Sequence, residues 1–314
     1  MIFCKTGDLM HTYTTIQYLN YFETAIWPIG QTPLLNLAAT AAAAGLPDII
    51  QLLAKAEWFN PSGSVKDRAA KRIIQVAEAE GKLWPGMTLL DSSSGNMALA
   101  YASLGRLHGY KVKLVVPANA TPARLALLRN FGIDLMLTDP ASGSDGAMAA
   151  ARQLAAQNPN YFYANQYDNP ANWEAYYHSL APEIWQQTGG RITHFVAGVG
   201  SGGTFTGAAR WLKERNPNTV CATVQPKTEN EGIKGLKFME TAVPPKVYDP
   251  SLADKHLAVT ADEAKETRQL LANCEGLFVG PSGAANVAAA IRLAQTLEKG
   301  TIVTLFPDDS RYYS

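Results

Sequence analysis

The sequence predicts an α/β protein of two domains, each with a helix-covered, mostly parallel sheet. Three observations predict it. From residue 60 onward, helix-like and strand-like segments alternate, and such alternation implies parallel strands joined by crossover helices. Glycine- and serine-rich stretches fall just after strand-like segments and open helix-like ones, where sheets of this kind carry ligands. The length, 314 residues, suits one large or two ordinary domains at about 150 residues each.

Each element has a local reason. The alanine-rich stretches 38–44 and 147–151 favour helix, because alanine loses least on entering one. Residues 64–82 read as a helix: Ala70, Ile73, Ile74 and Ala77 recur on one face, Gly81 can close the end, and Ser64 with Asp67 resembles a capping box. Residues 87–91 read as a strand, 96–108 as a helix stopped by Gly109, and 111–117 as a β-branched strand ended by Pro117. Thr121-Pro122 opens the next helix as N-cap and first turn. A strand over 133–138 and a helix over 145–158 follow, then a helix over 171–188 closed by Gly189 and Gly190. Strands are expected at 194–199, 220–225 and 301–306, with helices at 204–215 and 283–298. Thr260 with Glu263 makes a capping box for a helix reaching Cys274. Residues 226–257 lack clear periodicity and read as a long functional loop region.

Composition narrows the function. Lys+Arg and Asp+Glu are both 27, so the formal net charge is zero, which argues against bulk attraction to nucleic acid or anionic lipid. Apolar residues make up 47%, enough for a substantial core. The cysteines, Cys4, Cys221 and Cys274, are far apart and form no cluster with histidine, so neither a metal site nor a disulfide framework is expected. A cytoplasmic protein fits that usage. Asp8 and His11 stand where a signal peptide needs an apolar run, and no apolar stretch nears the ~18–20 residues of a membrane span.

Four loops carry chemistry. The first, Asn60-Pro-Ser-Gly-Ser-Val-Lys66-Asp-Arg68, puts a lysine in the first turn of a helix, where the dipole disfavours a cation. It is either a surface lysine reaching water or, with its pKa lowered, an imine-forming nucleophile; position alone does not choose. The second is Ser92-Ser93-Ser94-Gly95-Asn96, whose free amides and hydroxyls suit a carboxylate. The third, Gly198-Val-Gly200-Ser201-Gly202-Gly203-Thr204, suits a phosphate at a helix start. It also matches the G-x-G-x-x-G dinucleotide pattern, but the next strand holds no acidic residue for a ribose. The fourth is Gly280-Pro-Ser282-Gly283, which alone is a plain N-cap.

Taken as a set, these loops resemble the fold-type II pyridoxal-phosphate enzymes, and most closely the cysteine synthase / O-phosphoserine sulfhydrylase family within the cystathionine β-synthase-like superfamily. Gln166-Tyr-Asp-Asn-Pro-Ala-Asn172, Pro182-Glu-Ile-Trp185 and Glu275-Gly276 are similar to further family signatures. The likeness runs from about Thr32 to Tyr313.

The resemblance implies roles. Lys66 forms the internal aldimine with pyridoxal 5'-phosphate and then acts as acid and base at Cα. Asn96 bonds the cofactor's phenolic oxygen. Gly200, Ser201, Gly202, Gly203 and Thr204 hold its phosphate, and Ser282 meets the pyridine nitrogen. Ser93, Ser94, Gly95, Met97 and Gln166 line the substrate carboxylate. Met97-Ala98 stands where relatives usually carry Thr-Gly, so a hydroxyl is lost there, or Met97 only fills space. Lys237, in Gly232-Ile-Lys-Gly-Leu-Lys237, matches the place where phosphoserine-using members carry an arginine. It is a solvated loop lysine or an attractor for a phosphate leaving group.

The implied reaction is a β-replacement on O-acetylserine or O-phosphoserine through an aminoacrylate, with sulfide giving L-cysteine. Homocysteine, or an amine such as glutamate, would be alternative nucleophiles. A nicotinamide-dependent dehydrogenase is a remote alternative, and a cofactor-free scaffold would be expected to lose Lys66 or Ser282. The implied partition puts residues 1–36 and 57–168 in a smaller, mobile substrate-loop domain and residues 37–56 and 169–314 in the larger phosphate-binding one. A homodimer is expected, with neither haem-binding extension nor C-terminal regulatory module.

Overall fold

The structure, a computed structural model, describes residues 28–313; Cys4, Asp8 and His11 lie outside them. It contains a six-stranded and a four-stranded sheet. The larger runs β1 (Leu34–Asn36), β2 (Ile50–Ala56), β10 (Gly300–Phe306), β7 (His194–Gly198), β8 (Val220–Pro226) and β9 (Lys255–Val259). Only β1 is antiparallel to its neighbour. The smaller runs β5 (Asp134–Thr138), β4 (Lys111–Pro117), β3 (Thr88–Ser92) and β6 (Tyr161–Tyr163), all parallel. The partition above assigns residues 34–36 to the smaller unit. They pair instead with β2 in the larger sheet, at Leu34–Lys55 and Leu35–Ala54.

The strands expected at 87–91, 111–117, 133–138, 194–199, 220–225 and 301–306, read from short apolar or β-branched runs, are present within a residue or so. Four strands lack such a signal and were not expected: β1, β2, β6 and β9. β2 is flanked by strands on both sides. Its sequence, Ile-Gln-Leu-Leu-Ala-Lys-Ala, favours helix locally. Pairing with β10 along its whole length overrides that preference.

Helix Pro281–Ala294 is almost wholly buried. Its alanines and glycine let it lie close against β10, and a Cβ at Gly283 would stand 3.1 Å from the Phe306 ring.

The Thr260–Glu263 box forms, with Thr260 Oγ1 accepting from Glu263 N (3.1 Å) and Glu263 Oε2 from Thr260 N (2.7 Å). The expected Ser64–Asp67 box does not. Helix Lys66–Ala79 begins after Val65, and Asp67 turns back to accept from Ser62 N at 2.7 Å. The cause is tertiary: Val65 N donates to Pro307 O (2.8 Å) and Ser64 bridges to Asp308, so the chain enters the helix one residue later.

The expected helix over 171–188 is interrupted by a π-helical turn, Tyr176–Leu180, between Ala171–Ala175 and Ala181–Gln187. Pro182 lacks an N–H and crowds the carbonyl four residues back, and the wider turn relieves both.

Candidate active site

The carboxyl ends of β3, β7 and β10 converge on one cavity of about 540 Å³ between the two sheets. Lys66, Ser93, Ser94, Gly95, Asn96, Met97, Gln166, Gly200, Ser201, Gly202, Thr204, Lys237 and Ser282 all line it. Gly203 does not; a Cβ there would fall 2.2 Å from Asn172 Oδ1, so this glycine admits a neighbouring side chain.

Each wall has its own construction. Gly95 is the N-cap of helix Asn96–Leu107 and supplies no side chain, which leaves the first amides open to an anion. Ser93 Oγ accepts from Gly95 N at 3.3 Å and shapes that turn. Across the cavity, Gly202 caps helix Gly203–Arg215 with φ +88°, a conformation glycine adopts readily. At Gly200 a Cβ would stand 2.6 Å from Gly235 O. A hydrogen-bonded chain joins the walls: Gln166 Nε2 donates to Ser92 O (3.3 Å), Asn172 Nδ2 donates to Gln166 O (2.6 Å) and to Ser201 Oγ (3.2 Å).

Lys66 sits at the helix start facing this space. Burial lowers the pKa of its ammonium, and the charges of Asp308 and Glu57 act the other way. A lysine with a lowered pKa holds more free amine near neutrality, as imine formation requires. Lys237 Nζ lies 4.4 Å from the centre of the Tyr167 ring; burial lowers its pKa, against the charge of Asp145.

Several lining residues lie outside the quoted motifs: Asn119, Arg124, Asn286, Asp308 and Tyr313. Asp308 is 1% exposed and accepts at Oδ2 from Asn96 Nδ2 (2.5 Å) and Tyr313 OH (2.5 Å). Its one sequence signal is its place just past the last strand. Asn286 lies one turn beyond Ser282, with Oδ1 buried and unbonded among the described residues.

The donor set fits pyridoxal phosphate. Open amides and a hydroxyl at Gly200–Thr204 suit a phosphate, a lysine whose pKa burial lowers suits an aldehyde, and the Ser282 hydroxyl suits a ring nitrogen. Two helix-covered, mostly parallel sheets with such a cavity between them define the class of fold-type II enzymes that hold this cofactor. The chain belongs to the pyridoxal-phosphate dependent enzyme family, whose model matches residues 28–308. It is 42% identical over 296 residues to a cysteine synthase of Aquifex aeolicus, covering 93% of this chain and 90% of that one. Among solved structures it is similar to O-acetyl serine sulfhydrylase isoform 3 from Entamoeba histolytica, with TM-score 0.85, 31% identity and 91% and 88% of the two chains covered. It is also similar to the O-acetylserine dependent cystathionine beta-synthase from Helicobacter pylori, with TM-score 0.84, 34% identity and 91% and 94% covered.

Among the described residues, Cys221 and Cys274 are unbridged, and no helix is long and apolar enough to cross a membrane.

Proposed function

We propose that the protein is a cysteine synthase: it replaces the activated oxygen substituent on Cβ of an O-acyl or O-phospho L-serine with sulfide. One observation carries the reading. A single cavity is lined by Lys66 at a helix start, the Ser93–Asn96 amides and the Gly200–Thr204 loop. The bound cofactor supplies the electron sink. Lys66 anchors it through Nζ and moves the proton at the donor's Cα. Asn96 donates to its phenolic oxygen, and Gly200, Ser201, Gly202 and Thr204 surround its phosphate, with Gly203 admitting Asn172 behind them. Ser282 meets the ring nitrogen as a neutral hydroxyl.

The donor's carboxylate sits on Ser93, Ser94, Gly95 and Gln166. Met97 is 1% exposed and packs at that edge. Lys237 attracts a phosphate leaving group, so O-phosphoserine serves at least as well as O-acetylserine. The unit around the four-stranded sheet closes over the donor and keeps water out. The protein works as a cytoplasmic homodimer, as the resemblance implies; sedimentation tests the dimer.

The test of the central reading is spectroscopic. Purified protein should be yellow, shift its visible band on addition of a β-substituted serine, and recover when sulfide is added. Borohydride should fix the cofactor on Lys66. Colourless protein, or label on another side chain, sinks the proposal. Recovery with homocysteine but not sulfide would favour the reaction named for the Helicobacter structure.

A further inference from the structure

Asp308 belongs to none of the four loops, yet it touches or abuts three of them. Its carboxylate Oδ2 accepts from Asn96 Nδ2 and from Tyr313 OH, each at 2.5 Å. Its Oδ1 has no hydrogen-bond partner among the described residues. A Cβ on Gly280 would stand 2.0 Å from that Oδ1 and 2.9 Å from Tyr313 Cε2. The glycine of Gly280-Pro-Ser282 is therefore set by Asp308, not by the N-cap it also forms. The backbone is fastened as well: Asp308 bridges to Ser64, and Pro307 O accepts from Val65 N at 2.8 Å. These ties mount Asp308 on the two residues that precede Lys66.

We propose that Asp308 is a positioning residue for the cofactor site: its carboxyl orients the Asn96 amide and, held beside the start of the Lys66 helix through Ser64, acts on the Lys66 amine across the cavity. A carboxylate only accepts, so it selects the NH2 end of the Asn96 amide. One N–H is spent on Asp308 and the second remains for an oxygen in the cavity. Charge does the rest. Lys66 faces two carboxylates, Asp308 and Glu57, and Glu57 is already paired with Arg68 at 2.7 Å. Burial pushes the Asp308 carboxyl up, as does the charge of Asp309, while the donors Tyr313 and Asn96 and the charge of Lys66 favour its ionised form, and the Arg124 guanidinium acts on Tyr313 from beyond. Asp308 is thus the carboxylate that tunes how much of Lys66 is free amine.

The inference borrows from the proposed function only the role of Lys66, and its test needs no turnover. The full chain, freed of cofactor, is pulsed with acetic anhydride across the neutral-to-alkaline range, and acetylation of Lys66 is mapped by mass spectrometry. With Asp308→Asn the negative charge is gone, so the Lys66 midpoint falls by about one pH unit and labelling at neutral pH rises roughly tenfold. With Tyr313→Phe the buried carboxyl loses a donor that favours its ionised form, so it carries less charge and the midpoint moves the same way by a smaller step. Parent-like midpoints in both variants overturn the proposal, even if Asp308→Asn melts earlier, because a merely structural carboxylate affects melting alone. Should Asp308→Asn not fold, the direction of the Tyr313→Phe shift decides. Borohydride label outside Lys66 would count against the proposed function and leave these midpoints unchanged.

Discussion

Arg68 and Glu183, 115 residues apart, meet as a fork: Nη1 to Oε1 at 2.6 Å and Nη2 to Oε2 at 2.8 Å. The same guanidinium donates to Glu57 through Nε (2.7 Å) and Nη2 (2.9 Å), and Lys55 reaches Glu183 at 2.7 Å. Lys55 and Glu57 are fully buried. The cluster ties β2 and the helix that opens with Lys66 to the helix beyond the π turn, and so holds the back of the site.

Glu183→Gln should therefore be costly. It leaves Lys55 and Arg68 with one carboxylate between them, and breaking a buried pair costs about 3–5 kcal/mol. Denaturant unfolding measures it, and an unchanged midpoint refutes it. Burial pushes the Glu183 carboxyl up, but the Arg68 and Lys55 contacts outweigh it and hold the pKa near about 2, against 4.5 for a free carboxyl. The pair's contribution is whole above that ordinary value and fades as the pH falls toward the lower one.

Asp91 gives stability the opposite slope. It is buried near the end of β3, and burial raises its pKa to about 7 from 3.8, against the hydrogen bond that Ser92 N donates to its Oδ1. Between those values the folded chain keeps a proton that the unfolded chain has lost. Its contribution falls as the pH rises through that window and is flat above it. Asp67, raised to about 6, adds a slope of the same sign. Asp91→Asn should melt higher than the parent at alkaline pH, with the gain vanishing on acidification. A difference that does not vary with pH would contradict this.

Gly202→Ala should damage the phosphate loop. The backbone sits at φ +88°, and a Cβ would stand 2.4 Å from Tyr248 Cβ. Strain and overlap together cost about 1–3 kcal/mol. Since the loop itself must shift, the affinity for pyridoxal phosphate should fall roughly tenfold or more. Absorbance titration of cofactor-free protein and thermal melting check both; retained affinity would show that the loop tolerates a side chain.

Lys237→Ala should discriminate between donors. Its Nζ rests over Tyr167 in the cavity wall, and the proposed role gives it a phosphate to meet and little to do for an acetyl group. The KM for O-phosphoserine should rise about tenfold with that for O-acetylserine nearly unchanged. Equal losses for both would remove Lys237 from leaving-group recognition.

Much of the site was legible because its chemistry is local. Ser93-Ser94-Gly95-Asn96 and Gly200–Thr204 each lie between a strand and a helix, and the glycines and hydroxyls needed there are contiguous. Asp308, Tyr313 and Arg124 left no such mark. Each becomes part of the cavity only when distant segments meet, as when Ser64 bridges to Asp308. The helix start at Lys66 shows the same limit, since the residues of a capping box are present but Pro307 O captures Val65 N first.

The sequence by itself determined the α/β class, the order of the elements from residue 60 onward apart from β6 and β9, and the glycine and hydroxyl loops that follow strands, because periodicity, capping and turn chemistry act over a few residues. Tertiary structure alone decided that β1 joins the larger sheet, that β2 is a strand despite its helix-prone residues, and that a buried carboxylate faces the lysine. Those outcomes depend on backbone pairing and desolvation between segments far apart in the chain, and neither has a value until the segments touch.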